Sequence, residues 1–259
     1  MSTEPRTWIT ALRTSQDHLA TVADGLDAGG LRRPSYCDEW TVADVLSHLG
    51  SQAEIFQAFL DTTLAGEEPP GQDAFPPIWD RWNAKEPEVQ AADSIAANER
   101  FVEAVEALSD ERLAELRPQI FGMDLDAVGL LRMRLGEHAV HSWDVAVAFD
   151  DTATLESSAV ELLVDSVAPV AARSGAPQGK AFGLETRLTG PERHLALVVG
   201  DAVTVDPWED RDVDGVLTLP AEAFIRLAYG RLDPDHTPDV TLESATVGID
   251  DVRALFPGF

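Results

Sequence analysis

Glu137 and His141 stand four residues apart. If their segment is helical, both side chains leave one face about a turn apart, and a carboxylate and an imidazole so placed can share one divalent ion. Asp144, three residues further on, is spaced to accept the free ring hydrogen of a ligating histidine or to offer an alternative oxygen. With Arg134 these residues form a polar stripe on a segment whose other positions include Leu131, Leu135, Val140 and Val145. Such a stripe is satisfied either by water, as a charged solvent-facing row, or by a ligand. His48, in a second helical pattern, offers a third donor. A lone helix histidine is commonly just a surface or hydrogen-bonded residue, but facing helices that give one ligand and a carboxylate–imidazole pair recur as divalent-metal sites. Nitrogen and oxygen donors suit zinc, with iron or nickel compatible by ligand type. His138 and His141, three apart, form an alternative pair to Glu137 and His141. The order Glu-His-x-x-His departs from the zincin order His-Glu-x-x-His, which argues against a metalloprotease.

These side chains need helices to position them. Trp8, Leu12, Ser15, Leu19, Val22 and Leu26 recur at three- and four-residue steps and predict a first helix, ended by Asp24-Gly25 and Gly29-Gly30. Thr41 can cap the next, with Asp44 in its first turn. That helix should bury Val42, Val45, Leu46, Leu49, Ala53, Phe56 and Leu60 and stop near Ala65, before Gly66-Glu67-Glu68-Pro69-Pro70-Gly71. A loop carrying Pro76, Pro77 and Trp79 is expected, then a helix over 88–108, a short turn capped by Ser109, and a helix over 124–149 that carries the stripe. Four long helices make an antiparallel bundle the economical architecture for residues 1–150.

The pattern then changes. A helix is expected over 156–173, and beyond the Gly/Pro-rich stretch 174–179 the period becomes two, at Leu184, Thr186 and Leu188 and again over 194–199, with Gly200-Asp201 as a hairpin turn. Further strands are expected over 203–205, 215–219 and 240–242, and helices over 220–229 and 249–256. Residues 151–259 therefore read as a separate α+β domain.

Composition narrows the partners. With 46 acidic against 19 basic residues and a formal charge of −27, the chain repels nucleic acid and anionic membrane surfaces, so neither is an expected partner. No apolar run approaches the roughly 18–20 residues of a membrane span, and the start MSTEPRTWIT lacks the basic and apolar segments of a secretory signal. The single cysteine, Cys37, cannot form an internal disulfide, and its place in a connection before a helix suggests a structural role rather than a nucleophile. A cytoplasmic location is expected.

The segment CDEWTVADVLSHL from Cys37 to Leu49, taken with EHAVHSWD from Glu137 to Asp144, resembles the N-terminal, DinB-like domain of the mycothiol-dependent maleylpyruvate isomerase family. The resemblance implies an α plus α+β chain: a DinB-like four-helix bundle followed by a small α+β domain like sterol carrier protein 2, where FIRLAYGR from Phe224 to Arg231 is similar to a family helix ending in Gly-Arg. It also implies that His48, Glu137 and His141 hold the metal, and it makes Arg231 the candidate to grip a substrate carboxylate. Without the resemblance, Arg231 is equally a cation favoured at a helix C-terminus. Three protein ligands leave a coordination position open, as in catalytic zinc sites, where a thiol can lose its proton. Addition of such a thiol to a cis-alkene conjugated to a carbonyl, rotation and elimination would give the trans isomer. The expected activity is thus a metal-dependent isomerase of a maleylpyruvate-like acid, with Zn2+ and mycothiol as cofactors. A mycothiol S-transferase acting on an electrophile and a non-catalytic metal- or ligand-binding protein are the alternatives. Partners would be a small thiol and a small electrophilic or carboxylate substrate, with the chain a monomer or homodimer.

Overall fold

Capping groups and proline placement set where the first helices begin. Helix α1 (Pro5–Asp24) starts on Pro5, whose missing N–H costs nothing in a first turn, and buries Trp8, Leu12, Ser15 and Leu19 as their spacing predicts. The computed structural model describes residues 4–37 and 39–258, so Asp38 in the predicted motif lies outside the described residues. The chain divides into two compact units between Ala159 and Val160, nine residues beyond the predicted boundary after Asp150.

In the first unit a single turn, α2 (Ala28–Leu31), precedes α3 (Val42–Ala65). The capping of α3 is reciprocal: the Asp44 N–H donates to Thr41 Oγ1, and the Thr41 N–H donates to the Asp44 carboxylate. Gly66, at φ +69°, ends the helix in the left-handed region that favours glycine. The segment predicted as a Pro-rich loop instead forms α4 (Phe75–Asn83), because Pro76 and Pro77 fall in its first turn, where no N–H is needed. Helix α5 (Pro87–Glu106) and the Ser109-capped α6 (Asp110–Glu115) follow. A two-stranded hairpin, β1 (Gln119–Ile120) and β2 (Met123–Asp124), then leads to α7 (Ala127–Ala146), where the Gly129 N–H donates to Asp126 Oδ1 at 2.7 Å.

The long helices α1, α3, α5 and α7 form the bundle, with α3 lying against both α5 and α7. Helices α3 and α7 run antiparallel: His48 meets His141, while Phe56, two turns further along α3, meets Arg134, earlier on α7. Gly50 lets α3 approach its neighbours closely, since a Cβ there would lie 2.3 Å from the Trp82 ring and 3.0 Å from Ser94 Cα.

Helix α8 (Ser157–Leu163) straddles the division between the units, and the second unit continues with α9 (Val167–Ser174). One helix over 156–173 was expected; a 3-10 turn at Val164–Ser166 interrupts it. Pro169 gives the reason, because a continuous helix would need an N–H that Pro169 lacks and would press its ring on the Asp165 carbonyl. The sheet consists of β3 (Phe182–Thr189), β4 (Arg193–Val199), β5 (Val203–Pro207), β6 (Gly215–Pro220) and β7 (Thr241–Ser244) in the order β5-β4-β3-β6-β7. Only the β3–β6 pair is parallel. Leu184, Thr186 and Leu188 face inward on β3, as their alternation predicts. Helix α10 (Ala221–Ala228) lies along β6, and α11 (Ile249–Arg253) follows β7. On α10 the buried Arg226 guanidinium donates twice to Glu222 and also to the carbonyls of Arg231 and His236. Among the described residues, no helix is long and apolar enough to cross a membrane.

Candidate metal centre

Helices α3 and α7 bring His48, Glu137 and His141 together, with one donor atom from each lying within 4.8 Å of the others. Glu137 Oε2 is 3.5 Å from His48 Nε2 and 3.8 Å from His141 Nε2, and the two imidazole rings are 4.6 Å apart in an edge-on arrangement. These separations are too long for good hydrogen bonds and suit three donors arrayed around an ion about 2 Å from each. His48 Nε2 is buried and has no hydrogen-bond partner among the described residues. A ring nitrogen buried and unpaired in that way costs on the order of 1–3 kcal/mol unless something binds it, and its lone pair could take up a divalent cation.

His48 and Glu137 hold charge states that suit a metal. Burial pushes the His48 imidazole below its ordinary range, against the pull of Glu137, so it stays neutral near pH 7. Burial would raise the Glu137 carboxyl, but His48, His141 and Arg134 outweigh it and hold the group at about 2. His141 is oriented from behind: its Nδ1 donates to Asp144 Oδ2 at 2.8 Å, which leaves the Nε2 lone pair free to meet an ion. The same Asp144 oxygen accepts from Cys37 Sγ at 3.1 Å, and the Asp144 side chain is fully buried. Cys37, His141 and Asp144 thereby bring their donor atoms within 4.8 Å of one another, a second group with metal-ligand chemistry that shares His141 with the first. Trp40, 38% exposed, places its ring 5.4 Å from that of His48.

The stripe is not a solvent-facing row, which corrects one of the two sequence readings. Arg134 is 1% exposed and Asp144 0%, because this face of α7 turns toward α3 and the connection before it rather than toward water. Arg134 donates to the Leu49 carbonyl at 3.2 Å and to Asn98 Oδ1, while its Nη1 finds no partner. Burial lowers its pKa to about 10, with the Glu137 charge opposing, so it remains a cation at pH 7. His138 lies outside the cluster. It is buried among Ser15 and Ser142, which meet Nδ1 at 2.7 and 3.2 Å, and Gln16 Oε1, which meets Nε2 at 3.2 Å. Burial, with Arg134 and His141 nearby, drives its pKa well below the ordinary value.

Gln52 was not singled out from sequence. Its carboxamide oxygen is buried without a partner one turn after His48 on α3. The four-residue step from His48 to Gln52, matching the step from Glu137 to His141, was the available signal. Arg231 belongs to the second unit. It follows Gly230, whose φ of +77° ends α10, and its largely buried guanidinium donates to the Tyr229 carbonyl. A Cβ at Gly230 would lie 2.5 Å from the Gly258 backbone, so glycine is required there for close approach as well as for conformation.

The family described as the mycothiol maleylpyruvate isomerase N-terminal domain matches residues 12–146, more than half of the 259-residue chain. The chain belongs to that family. His48, Glu137 and His141 all lie inside the mycothiol maleylpyruvate isomerase N-terminal domain so matched, and Arg231 lies beyond it. Two solved structures cover the whole chain and are covered wholly by it, each at 17% identity. One is a crystal structure of the mycothiol-dependent maleylpyruvate isomerase, with a TM-score of 0.71, and the other is a histidine-to-alanine mutant of that enzyme, with a TM-score of 0.72. This likeness establishes the shared fold over both units. No curated protein matches the chain.

Proposed function

We propose that the chain is a metal-dependent enzyme that uses a low-molecular-weight thiol, mycothiol, to isomerise a maleylpyruvate-like acid from cis to trans. The observation that carries the reading is the convergence of His48, Glu137 and His141 around an imidazole nitrogen with no hydrogen-bond partner among the described residues. Membership of the mycothiol maleylpyruvate isomerase N-terminal domain family supports the choice of thiol and reaction. A divalent ion, with zinc the best fit to two imidazoles and a carboxylate, would act as a Lewis acid that makes a thiol nucleophilic near neutral pH.

The chain's own residues supply the rest. Asp144 fixes the His141 ring and its tautomer. Glu137 brings a carboxylate already ionised at pH 7. Arg231, whose planar guanidinium can meet both oxygens of a carboxylate, is assigned to the substrate acid.

His48→Ala and His141→Ala proteins should stay folded by circular dichroism and lose bound metal by elemental analysis. Full occupancy in both would refute the ligand set. Turnover is tested separately: the metal-loaded protein with mycothiol should isomerise a maleyl-type acid. Conjugation of an electrophile without isomerisation would make it an S-transferase, and neither activity would leave a metal-binding protein.

A further inference from the structure

Arg134 is the one member of the polar stripe on α7 that the reaction does not yet use. Its guanidinium is buried, its hydrogen bonds go to the neutral acceptors Leu49 O and Asn98 Oδ1, and Nη1 has no partner among the described residues. A full charge in that setting is costly unless opposite charge lies close by. Glu137, one turn further along the same face, is near enough to act on Arg134 through space, and Arg134 acts in turn on both Glu137 and His48. The charged side chains of the stripe are Arg134, Glu137 and Asp144, so together they carry one formal negative charge. A divalent ion adds two positive charges and imidazole ligands add none, so with Glu137 ionised the sum becomes one positive charge. Only one further negative charge restores neutrality.

We propose that Arg134 sets the ligand class of the open coordination position: its fixed positive charge makes the centre a receptor for a monoanion, such as a deprotonated thiol, in preference to a neutral ligand. The proposal rests on His48, Glu137 and His141 being the metal ligands. Arg134 touches neither ion nor substrate in this scheme and acts as a positioning charge. At a charge separation of roughly 7 Å and an effective dielectric of about 20, one charge alters monoanion affinity by about 10- to 50-fold.

The test is titration of the cobalt(II)-loaded protein with azide, and separately with neutral imidazole, followed by the ligand-field absorption of cobalt. Arg134→Gln should weaken azide about 10-fold or more and leave imidazole within about 2-fold. Arg134→Lys, which keeps the charge, should retain most of the azide affinity. Equal azide affinity in Arg134→Gln and the unsubstituted protein would overturn the proposal while leaving the ligand set intact. Failure of the unsubstituted protein to bind cobalt would overturn both. If Arg134→Gln does not fold, the unsubstituted protein still decides: its preference for azide over imidazole must exceed that of aqueous cobalt(II) by about tenfold, and a smaller ratio refutes the idea.

Discussion

Substituting Gly50 by alanine tests the packing that holds His48 in place. An alanine Cβ would sit 2.3 and 2.4 Å from two Trp82 ring carbons and 3.0 Å from the Ser94 backbone, where carbon atoms normally rest about 3.5–4.0 Å apart. Trp82 has little room to yield. It is 2% exposed, its Nε1–H donates to Glu54 at 2.8 Å, and the Lys85 ammonium sits 3.4 Å over the ring. Overpacking of this kind costs about 1–3 kcal/mol, here at the upper end because backbone as well as ring is struck, while the helix propensity of alanine returns about 1 kcal/mol. The net loss should be about 2 kcal/mol, or a fall in Tm of about 4–8 °C for a unit of this size. Gly25→Ala is the contrasting case: its φ is −81° and the nearest atom to a new Cβ is Val22 O at 3.6 Å, so stability should hold or rise slightly. Urea denaturation of both variants provides the measurement, with an unchanged m-value showing that the unfolded state is not the cause. Metal affinity should fall with Gly50→Ala, because His48 is two residues away on the displaced helix. A Gly50→Ala protein as stable as the parent would refute the reasoning.

Ser15→Ala removes the 2.7 Å hydrogen bond to His138 Nδ1 and should cost about 1–2 kcal/mol in urea denaturation, with metal content by elemental analysis unchanged; metal loss would place His138 in the ligand set after all. For pH dependence, burial would raise the Glu54 carboxyl, but hydrogen bonds from Trp82 and Arg81 and the charge of Lys85 hold it below its ordinary value. A depressed folded pKa stabilises above the unfolded carboxylate pKa of about 4.3, and this contribution fades as pH falls toward the folded pKa. Glu54→Gln should therefore flatten the loss of stability below about pH 4.5 in denaturation series at stepped pH, and an acid limb as steep as the parent's would count against the assignment.

Much of the bundle is legible in local chemistry. Thr41 with Asp44, the period of α1 and the stop at Gly66 each follow from neighbours within one or two turns, and the structure repeats them. The alternation in β3 is legible for the same reason. The misses have physical causes of two kinds. Pro76 and Pro77 suggest a loop, yet prolines in a first turn start a helix, and Pro169 interrupts the helix that the pattern over 156–173 suggests. The pairing of Gln119 with Asp124 is a hairpin too short to show a period.

The stripe on α7 belongs to the second kind, where local pattern is insufficient. Arg134, Glu137, His141 and Asp144 have the same spacing whether they face water or a neighbouring helix, and only the partner surface decides between them. Here that surface is α3 and the connection before it, which supply Leu49 O to Arg134, Cys37 Sγ to Asp144 and His48 to the cluster with Glu137 and His141. Apolar side chains of similar volume at Arg134 and Asp144 would serve stability as well or better, since buried charges seldom recover their desolvation cost. Among the described residues, His48 Nε2 and Gln52 Oε1 on α3 and Arg134 Nη1 on α7 are buried without partners. Polar groups so buried and so incompletely satisfied are out of place in a bundle shaped for stability alone, and they fit one shaped to close around an ion and its ligand.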